Sequence, residues 1–158
     1  MITLLAVQPQ DIKYFTQWWR DSDLISVTSG DTFPLSDSQI QGYFKNLFRP
    51  NASLHFMIDR DGHIIGHISL QQRSYEWWET QVIIGERKDQ GLGYGSEAIR
   101  QLLDKAGQQG INRIYLEVRP DNAKAIRAYQ KVGFSQVGEI IETNNPRQPE
   151  LIRMELNK

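Results

Sequence analysis

The chain has 158 residues and a formal net charge of −1, and its length is typical of one domain, so we expect residues 1–158 to form a single domain. The near balance of 18 basic and 19 acidic side chains argues against a general nucleic-acid binder, and the absence of cysteine excludes disulfides, thiolate zinc sites and cysteine nucleophiles. No apolar run approaches the ~18 residues that a membrane helix needs, and there is no signal-like start, so we expect no membrane partner and a cytoplasmic location.

The first half of the chain is predicted to contain two helices and four mostly antiparallel strands. Pro9 suits the first turn of one helix, and Ser-Asp-Ser-Gln at residues 36–39 is a capping box for the next. Asp61-Gly62 is a strong hairpin signal. Alternating apolar residues predict strands over residues 2–7, 54–58, 64–70 and 80–85.

The second half of the chain alternates strands with helices. Helices are predicted after the glycine-rich stretch 90–95 and over residues 123–132, and Gly133 suits the C-terminal cap of the latter. Strands are predicted over residues 114–118, 134–142 and 150–156, and loops over 22–35 and 143–149. This order implies a parallel crossover, so the fold class is α/β (α+β), with a mixed, mostly antiparallel sheet of about seven strands and about four helices.

The glycine-rich stretch predicts a backbone site for an anion. Gly91, Gly93 and Gly95 let the main chain approach a ligand closely, and the free N–H groups at a helix start attract a pyrophosphate. On its own the string also fits a plain strand-to-helix turn. A P-loop is excluded because no Lys-Ser or Lys-Thr follows the glycines, and a dinucleotide fold is disfavoured because the turn lies in the middle of the chain.

A second motif follows the strand at residues 114–118. It comprises Asn122, Ala125-Ile126, Tyr129 and Gly133-Phe134. Together with Gln90, Gly93 and Gly95, in this order and separation, it resembles the GCN5-related N-acetyltransferase (GNAT) superfamily. The detailed resemblance covers residues 80–134, and the flanking strands and helices follow the same order.

The resemblance implies that acetyl-CoA is the acetyl donor, bound where the parallel strands 82–84 and 114–118 splay apart. It implies that the pyrophosphate lies on the backbone of residues 90–96 and that free amides of the earlier strand polarise the thioester carbonyl. The implied cofactor-binding residues are Val82, Ile83, Ile84, Gln90, Gly91, Leu92, Gly93, Tyr94, Gly95, Ser96, Asn122 and Tyr129.

The acceptor implied by the resemblance is an amine, which must lose a proton before it attacks the thioester. Tyr129 is the candidate acid for the leaving thiolate, although its helical position also fits a core residue. Glu117 is the first candidate for the base and Glu79 is the second. Each carboxylate could instead be a solvated or salt-bridged surface charge.

The aromatic and histidine residues give weaker predictions. Within Trp18-Trp19 and Trp77-Trp78 we expect one ring in the core, and the other could line the mouth of the acceptor site. The three histidines have no ligand-like grouping, so no metal site is expected.

The sequence pattern is nearest to one branch of the superfamily and shares one feature with another. Residues 84–86 and 91–98 resemble the ribosomal-protein alanine/serine and spermidine acetyltransferases, and the paired tryptophans resemble aminoglycoside 6′-N-acetyltransferases. The implied partner is an amine acceptor: a protein N-terminus, a polyamine or an aminoglycoside-like small molecule, with no nucleic acid. A monomer or homodimer is expected. A catalytically silent coenzyme A-binding module and a partner-binding domain of the same fold remain alternatives.

Overall fold

The structure is a computed structural model that describes residues 1–24, 35–49, 52–144 and 150–157. The predicted loops 22–35 and 143–149 therefore lie mostly outside the described residues. The strands are β1 Ile2–Ala6, β2 Ser53–Arg60, β3 His63–Gln72, β4 Trp78–Ile84, β5 Ile114–Val118, β6 Phe134–Gln136, β7 Ile141–Glu142 and β8 Glu150–Leu156. The α-helices are α1 Ile12–Trp19, α2 Asp37–Asn46, α3 Tyr94–Gln108 and α4 Ala123–Val132.

The eight described strands form a mixed sheet in the order β1-β2-β3-β4-β5-β8-β6, with β7 paired to β8. The β4–β5 pair is parallel, and the other pairs are antiparallel. This confirms the predicted fold class. One detail differs: the strand predicted over residues 134–142 is divided in two, since Gly138 has a φ of +67° that an extended strand does not allow.

The helix ends are set by local sequence, as predicted. Ser36 accepts a hydrogen bond from the Gln39 N–H at 3.2 Å, and the Gln39 side chain accepts one from the Ser36 N–H at 2.9 Å. Asn122 caps the start of α4, and Gly133, with a φ of +119°, ends it in the left-handed region. No described helix has the length and apolar character that a membrane span requires.

The sheet separates two apolar clusters. The larger packs α3 and α4 against one face, where Ile114, Leu116 and Val118 of β5 point. The smaller packs α1 and α2 against the other face. Because side chains alternate along a strand, Tyr115 and Glu117 project from the α1/α2 face. The polar side chains of β5 therefore lie on the face of the sheet opposite to α3 and α4.

Candidate functional site

The central parallel pair is joined only at its beginning. β4 and β5 are paired at Trp78 with Ile114 and at Glu79 with Tyr115, and no further register pair joins them. The remainder of β4 stays paired with β3 on its other side, up to Ile84. The sheet therefore opens between these two strands, as the resemblance implies.

The edge of β4 that faces this opening carries free backbone groups. The Trp78 N–H donates to the Arg113 carbonyl at 2.9 Å, so it points towards β5, whereas the Gly85 N–H donates to Ile65 in the opposite direction. Backbone groups alternate in direction along a strand. The N–H groups of Val82 and Ile84 consequently point into the gap, and that of Ile83 points towards β3.

The turn between β4 and α3 has the backbone conformation of an anion cradle. Gly91 has a φ of +74°, and Gly93, the N-cap residue of α3, has a φ of +89°. Both values lie in the left-handed region that a side chain disfavours. The Gln90 side chain donates to the Ile84 carbonyl at 2.9 Å and ties the turn to the end of β4. The first N–H groups of α3 are thereby presented to the space beside the turn.

A cavity of about 610 Å³ lies beside this turn and reaches α4. Most of the residues that the resemblance assigns to the cofactor line it, and they come from β4, the turn, the start of α3 and α4. These are Val82, Ile84, Gln90, Gly91, Gly93, Gly95, Ser96, Asn122 and Tyr129.

Three of the assigned residues direct their side chains elsewhere. Ile83 packs against the smaller apolar cluster on the other face of the sheet. The Leu92 side chain is exposed, and Tyr94 packs partly against the larger core, with the Arg60 guanidinium 5.6 Å from its ring centre. Among these three, only Leu92 and Tyr94 can contribute a backbone N–H at the turn.

Four basic side chains at the cavity were not singled out from the sequence. Arg100 lines it from α3, and Lys124, Arg127 and Lys131 line it from α4. A Cβ atom added to Gly91 would lie 2.5 Å from the Lys124 Nζ, so this ammonium covers the turn itself. The spacing of three and four residues on α4 is the signal that could have revealed this cationic face. Together with the cradle, these cations fit the phosphates of a coenzyme A thioester.

Tyr129 has the properties of a proton donor. It is half-buried on α4, lines the cavity, and packs edge-on against Phe134 with 6.4 Å between ring centres. Its hydroxyl has no hydrogen-bond partner among the described residues. Burial raises the pKa of the Tyr129 hydroxyl above its usual value of 10, so the group stays protonated through neutral pH.

Asn122 has a structural role that limits its contact with a cofactor. Its side-chain oxygen accepts a hydrogen bond from the Ala125 N–H at 3.2 Å and caps α4. Only its amide NH₂ group stays available to donate into the cavity, which Asn122 also lines.

The two candidate carboxylates lie on the α1/α2 face of the sheet. Glu79 receives hydrogen bonds from Arg73 Nε at 2.7 Å and from Gln81 Nε2 at 3.2 Å. Glu117 has no such partner among the described residues. Burial, and then the negative charge of Glu79, raise the pKa of Glu117 above its usual value, while Arg153 and Arg73 oppose this change.

Two aromatic rings lie on the same face of the sheet as these carboxylates. Trp77 and Tyr115 meet edge to face with their ring centres 6.2 Å apart, and the Arg153 guanidinium lies over both. Trp78 packs instead against the larger core, and Trp18 is buried in the smaller one. Each tryptophan pair thus has one core ring, and Trp77 is the ring placed beside the carboxylates.

His55 and His67 form a stacked pair that sequence reasoning missed, because they come from neighbouring strands. Their rings are nearly parallel, and His55 Nδ1 lies 3.2 Å from His67 Nε2. Burial lowers the pKa of His55 to about 4; burial and then the neighbouring His55 lower the pKa of His67 to about 3. Both rings are therefore neutral at pH 7, and no metal-binding group of three or more side chains occurs among the described residues.

Comparison with known proteins identifies the family. The sequence profile of the Acetyltransferase (GNAT) family matches residues 12–134, which is most of the chain. The chain belongs to this family. It is therefore an acyltransferase that takes its acetyl group from acetyl-CoA and transfers it to a primary amine.

Two relatives match along most of their length. The chain is 26% identical over 145 residues to spermidine N(1)-acetyltransferase of Vibrio cholerae, covering 89% of this chain and 83% of that protein. It is 24% identical over 164 residues to aminoglycoside N(6′)-acetyltransferase type 1 of Klebsiella pneumoniae, covering 92% and 79%. The N-alpha-acetyltransferase RimI of Mycobacterium tuberculosis is 49% identical, but over 61 residues, 39% of this chain and 37% of that protein.

Solved structures agree with the fold. The spermidine N-acetyltransferase from Vibrio cholerae in complex with CoA and spermine superimposes with a TM-score of 0.85 at 25% identity, covering 98% of this chain and 94% of that one. AAC(6′)-Ib in complex with ribostamycin and coenzyme A gives a TM-score of 0.83 at 16% identity, covering 99% and 93%. At that identity the second likeness shows the fold alone.

Proposed function

We propose that the acceptor of this acetyltransferase is a small cationic molecule whose primary amine reacts at the opening between β4 and β5. The observation that carries this proposal is the placement of two carboxylates, Glu79 and Glu117, across the sheet from the cavity. Aromatic rings and carboxylates together favour a cation. The matches to a spermidine and an aminoglycoside acetyltransferase over most of the chain support the same class of acceptor.

Acetyl-CoA is assigned to the cavity of about 610 Å³. The backbone cradle at Gly91 and Gly93 would hold its pyrophosphate, and Lys124 would neutralise part of the phosphate charge. The other basic side chains of the cavity, Arg100, Arg127 and Lys131, are available to the remaining phosphate. When bound, acetyl-CoA supplies a thioester whose carbonyl carbon is open to attack by an amine.

Of the free N–H groups of Val82 and Ile84, one serves as the polarising donor to the thioester carbonyl. They point into the gap, they belong to a strand held rigidly by β3, and they need no reorganisation during the reaction. Because the donors are backbone groups, the side chains at these positions are free to supply apolar lining. The other N–H group of this pair is available to orient the amide-containing arm of the donor along β4.

Glu117 is proposed to accept the amine proton, directly or through one water molecule. Its raised pKa brings a carboxylate closer to the working pH of a general base. The amine nitrogen forms the new C–N bond as the C–S bond breaks, and the leaving thiolate takes a proton from Tyr129. Glu79 is already paired with Arg73, so its charge is better suited to hold an ammonium group than to carry a proton.

A panel of acceptors with acetyl-CoA and detection of released thiol tests this proposal. The panel contains 1,4-diaminobutane, spermidine, an aminoglycoside and a peptide with a free N-terminus. We expect thiol release with small cationic amines and none above background with the peptide. Release with the peptide alone would contradict the proposed acceptor class and favour a protein N-terminus.

A binding measurement and a turnover measurement together separate this proposal from its two alternatives. A partner-binding domain would not bind coenzyme A, and a silent coenzyme A-binding module would bind it without turnover. Isothermal titration with coenzyme A is expected to show binding, and the Glu117→Gln variant is expected to bind equally well while losing turnover. Equal turnover in that variant and in wild type would overturn the assignment of Glu117 as base.

A further inference from the structure

Arg153 occupies the aromatic and carboxylate cluster on the α1/α2 face. Its guanidinium carbon lies 3.8 Å from the ring centre of Tyr115 and 4.7 Å from that of Trp77. Its Nε donates to the Glu155 carboxylate at 2.8 Å. A planar guanidinium against two rings, with a carboxylate at its edge, is a well-formed cation site.

The register of the sheet holds Arg153 in that place. Glu117 of β5 stands opposite Arg153 of β8, and Tyr115 stands opposite Glu155. Arg153 reaches diagonally across the pair to cover Tyr115, a contact that neighbouring antiparallel strands allow for long side chains. Its side chain is 28% exposed, so the charge is partly withdrawn from water.

The balance of charge in this cluster depends on Arg153. Glu79, Glu117 and Glu155 contribute three negative charges, and Arg73 and Arg153 contribute two positive ones. One uncompensated negative charge is left for an acceptor. Without Arg153 the same carboxylates would present two uncompensated negative charges to a bound amine, and the face of the Tyr115 ring would be uncovered.

We propose that Arg153 is a resident cation of the acceptor site that selects acceptors with one further positive charge over acceptors with two. The inference rests on the proposed function, since it takes the carboxylate face as the acceptor site. Arg153 excludes a second ammonium group in two ways: it covers the Tyr115 ring that would bind that group, and it repels the group electrostatically.

A matched pair of amines measures this selection. After the reacting amine is neutral, 1,4-diaminobutane keeps one ammonium group and spermidine keeps two. In Arg153→Gln, kcat/KM for spermidine relative to 1,4-diaminobutane is expected to rise about tenfold or more, a change of about 1.4 kcal/mol. Arg153→Lys keeps the charge and should stay near the wild-type ratio.

Arg113→Gln is the control variant. Arg113 also lies over Trp77, at 5.6 Å, but its ion-pair partner is Glu76 and it stands outside the carboxylate cluster. The ratio should not change in this variant. A ratio that is unchanged in Arg153→Gln, or that moves equally in Arg113→Gln, would overturn the inference. If Arg153→Gln does not fold, Arg153→Met is used in its place, because methionine keeps an aliphatic stem over Tyr115.

A binding readout keeps the inference separate from the proposed function. Spermidine is titrated into wild-type and Arg153→Gln protein that has been loaded with coenzyme A, and the variant is expected to bind it about tenfold more tightly. Equal affinities overturn the inference. If the wild type acetylates no small amine, the proposed acceptor class is wrong, whereas this titration still decides the role of Arg153.

Discussion

Glu79 of β4 and Tyr115 of β5 are the last register pair of the parallel ladder, and the two strands separate immediately beyond them. This places a candidate acceptor-side carboxylate at the apex of the opening. The free N–H groups of Val82 and Ile84 also point from the edge of β4 into this opening. Under the proposed function, the acetyl donor and the amine would therefore meet where the sheet stops being continuous.

Tyr129→Phe tests the proposed acid. The change keeps the ring and its contact with Phe134 and removes only a hydroxyl that has no described partner. We expect turnover to fall by ~10² or more, because a general acid typically contributes that factor. The melting temperature and the affinity for coenzyme A should stay near wild type. Full turnover would mean that the tyrosine is a packing residue and that water protonates the thiolate.

The pH dependence of kcat/KM tests the two carboxylates. The proposed base Glu117 would act in its deprotonated form, and its pKa is raised, so wild-type activity should fall on the acid side at a pH above the usual carboxylate range. In Glu117→Gln only the unprotonated fraction of the amine reacts. The loss of kcat/KM relative to wild type should therefore be large near pH 7 and should shrink towards pH 10.

Glu79→Gln is the companion variant in that pH series. Glu79 raises the pKa of Glu117, so its removal should move the acid limb to lower pH. Because Glu79 is also proposed to hold an ammonium group of the acceptor, KM should rise, whereas kcat at pH 8 should be largely kept. A silent Glu117→Gln together with an inactive Glu79→Gln would reverse the assignment of the base.

Gly95→Leu tests the phosphate cradle. A Cβ atom at Gly95 would make only an ordinary contact, 3.9 Å from Ile84 Cγ1, and the residue lies in the first turn of α3 beside the cavity. The rest of a leucine side chain would enter the cavity, so we expect affinity for coenzyme A to fall more than tenfold. Gly107→Leu, in the same helix with open space around it, should leave that affinity unchanged; equal losses would contradict the site.

Gly85→Ala tests the packing at the end of β4. An added Cβ would lie 2.0 Å from Trp18 Nε1 and 2.4 Å from Trp18 Cδ1, and the Trp18 ring is almost fully buried. We expect a loss of stability of about 2 kcal/mol or more by urea unfolding, because the ring must shift in a packed core. Gly42→Ala, where an added Cβ meets no atom within 4 Å, is the control and should lose no stability relative to wild type.

The histidine pair predicts a loss of stability in acid. Between pH 6.5 and about 4 the unfolded chain binds protons on His55 and His67 while the folded state does not, so stability falls as pH falls through this window. We expect His67→Gln to lose less stability than wild type between pH 7 and pH 5, by on the order of 1 kcal/mol. His63→Gln, on the exposed hairpin, should follow wild type; an identical profile for His67→Gln would refute this account.

Much of the fold was predictable because its signals are local. The capping box at Ser36, the hairpin at Asp61-Gly62 and the glycine turn are decided by residues a few positions apart, and the structure has all three. The family was recognisable for the same reason, since both of its motifs are contiguous stretches. A cytoplasmic location, the absence of a nucleic-acid partner, and the state of monomer or homodimer stay predictions.

Pairings between distant segments could be decided only by the tertiary structure. The position of Lys124 over Gly91, of Arg153 opposite Glu117, and of His55 against His67 depends on strand order and register. Sequence reasoning placed Ile83 with the cofactor, but the alternation of β4 turns its side chain to the other face. The sequence by itself determined the glycine turn and the acetyl donor, because backbone conformation is local. The tertiary structure decided which charges surround the proposed acceptor site, because electrostatic interactions act between side chains that only folding brings together.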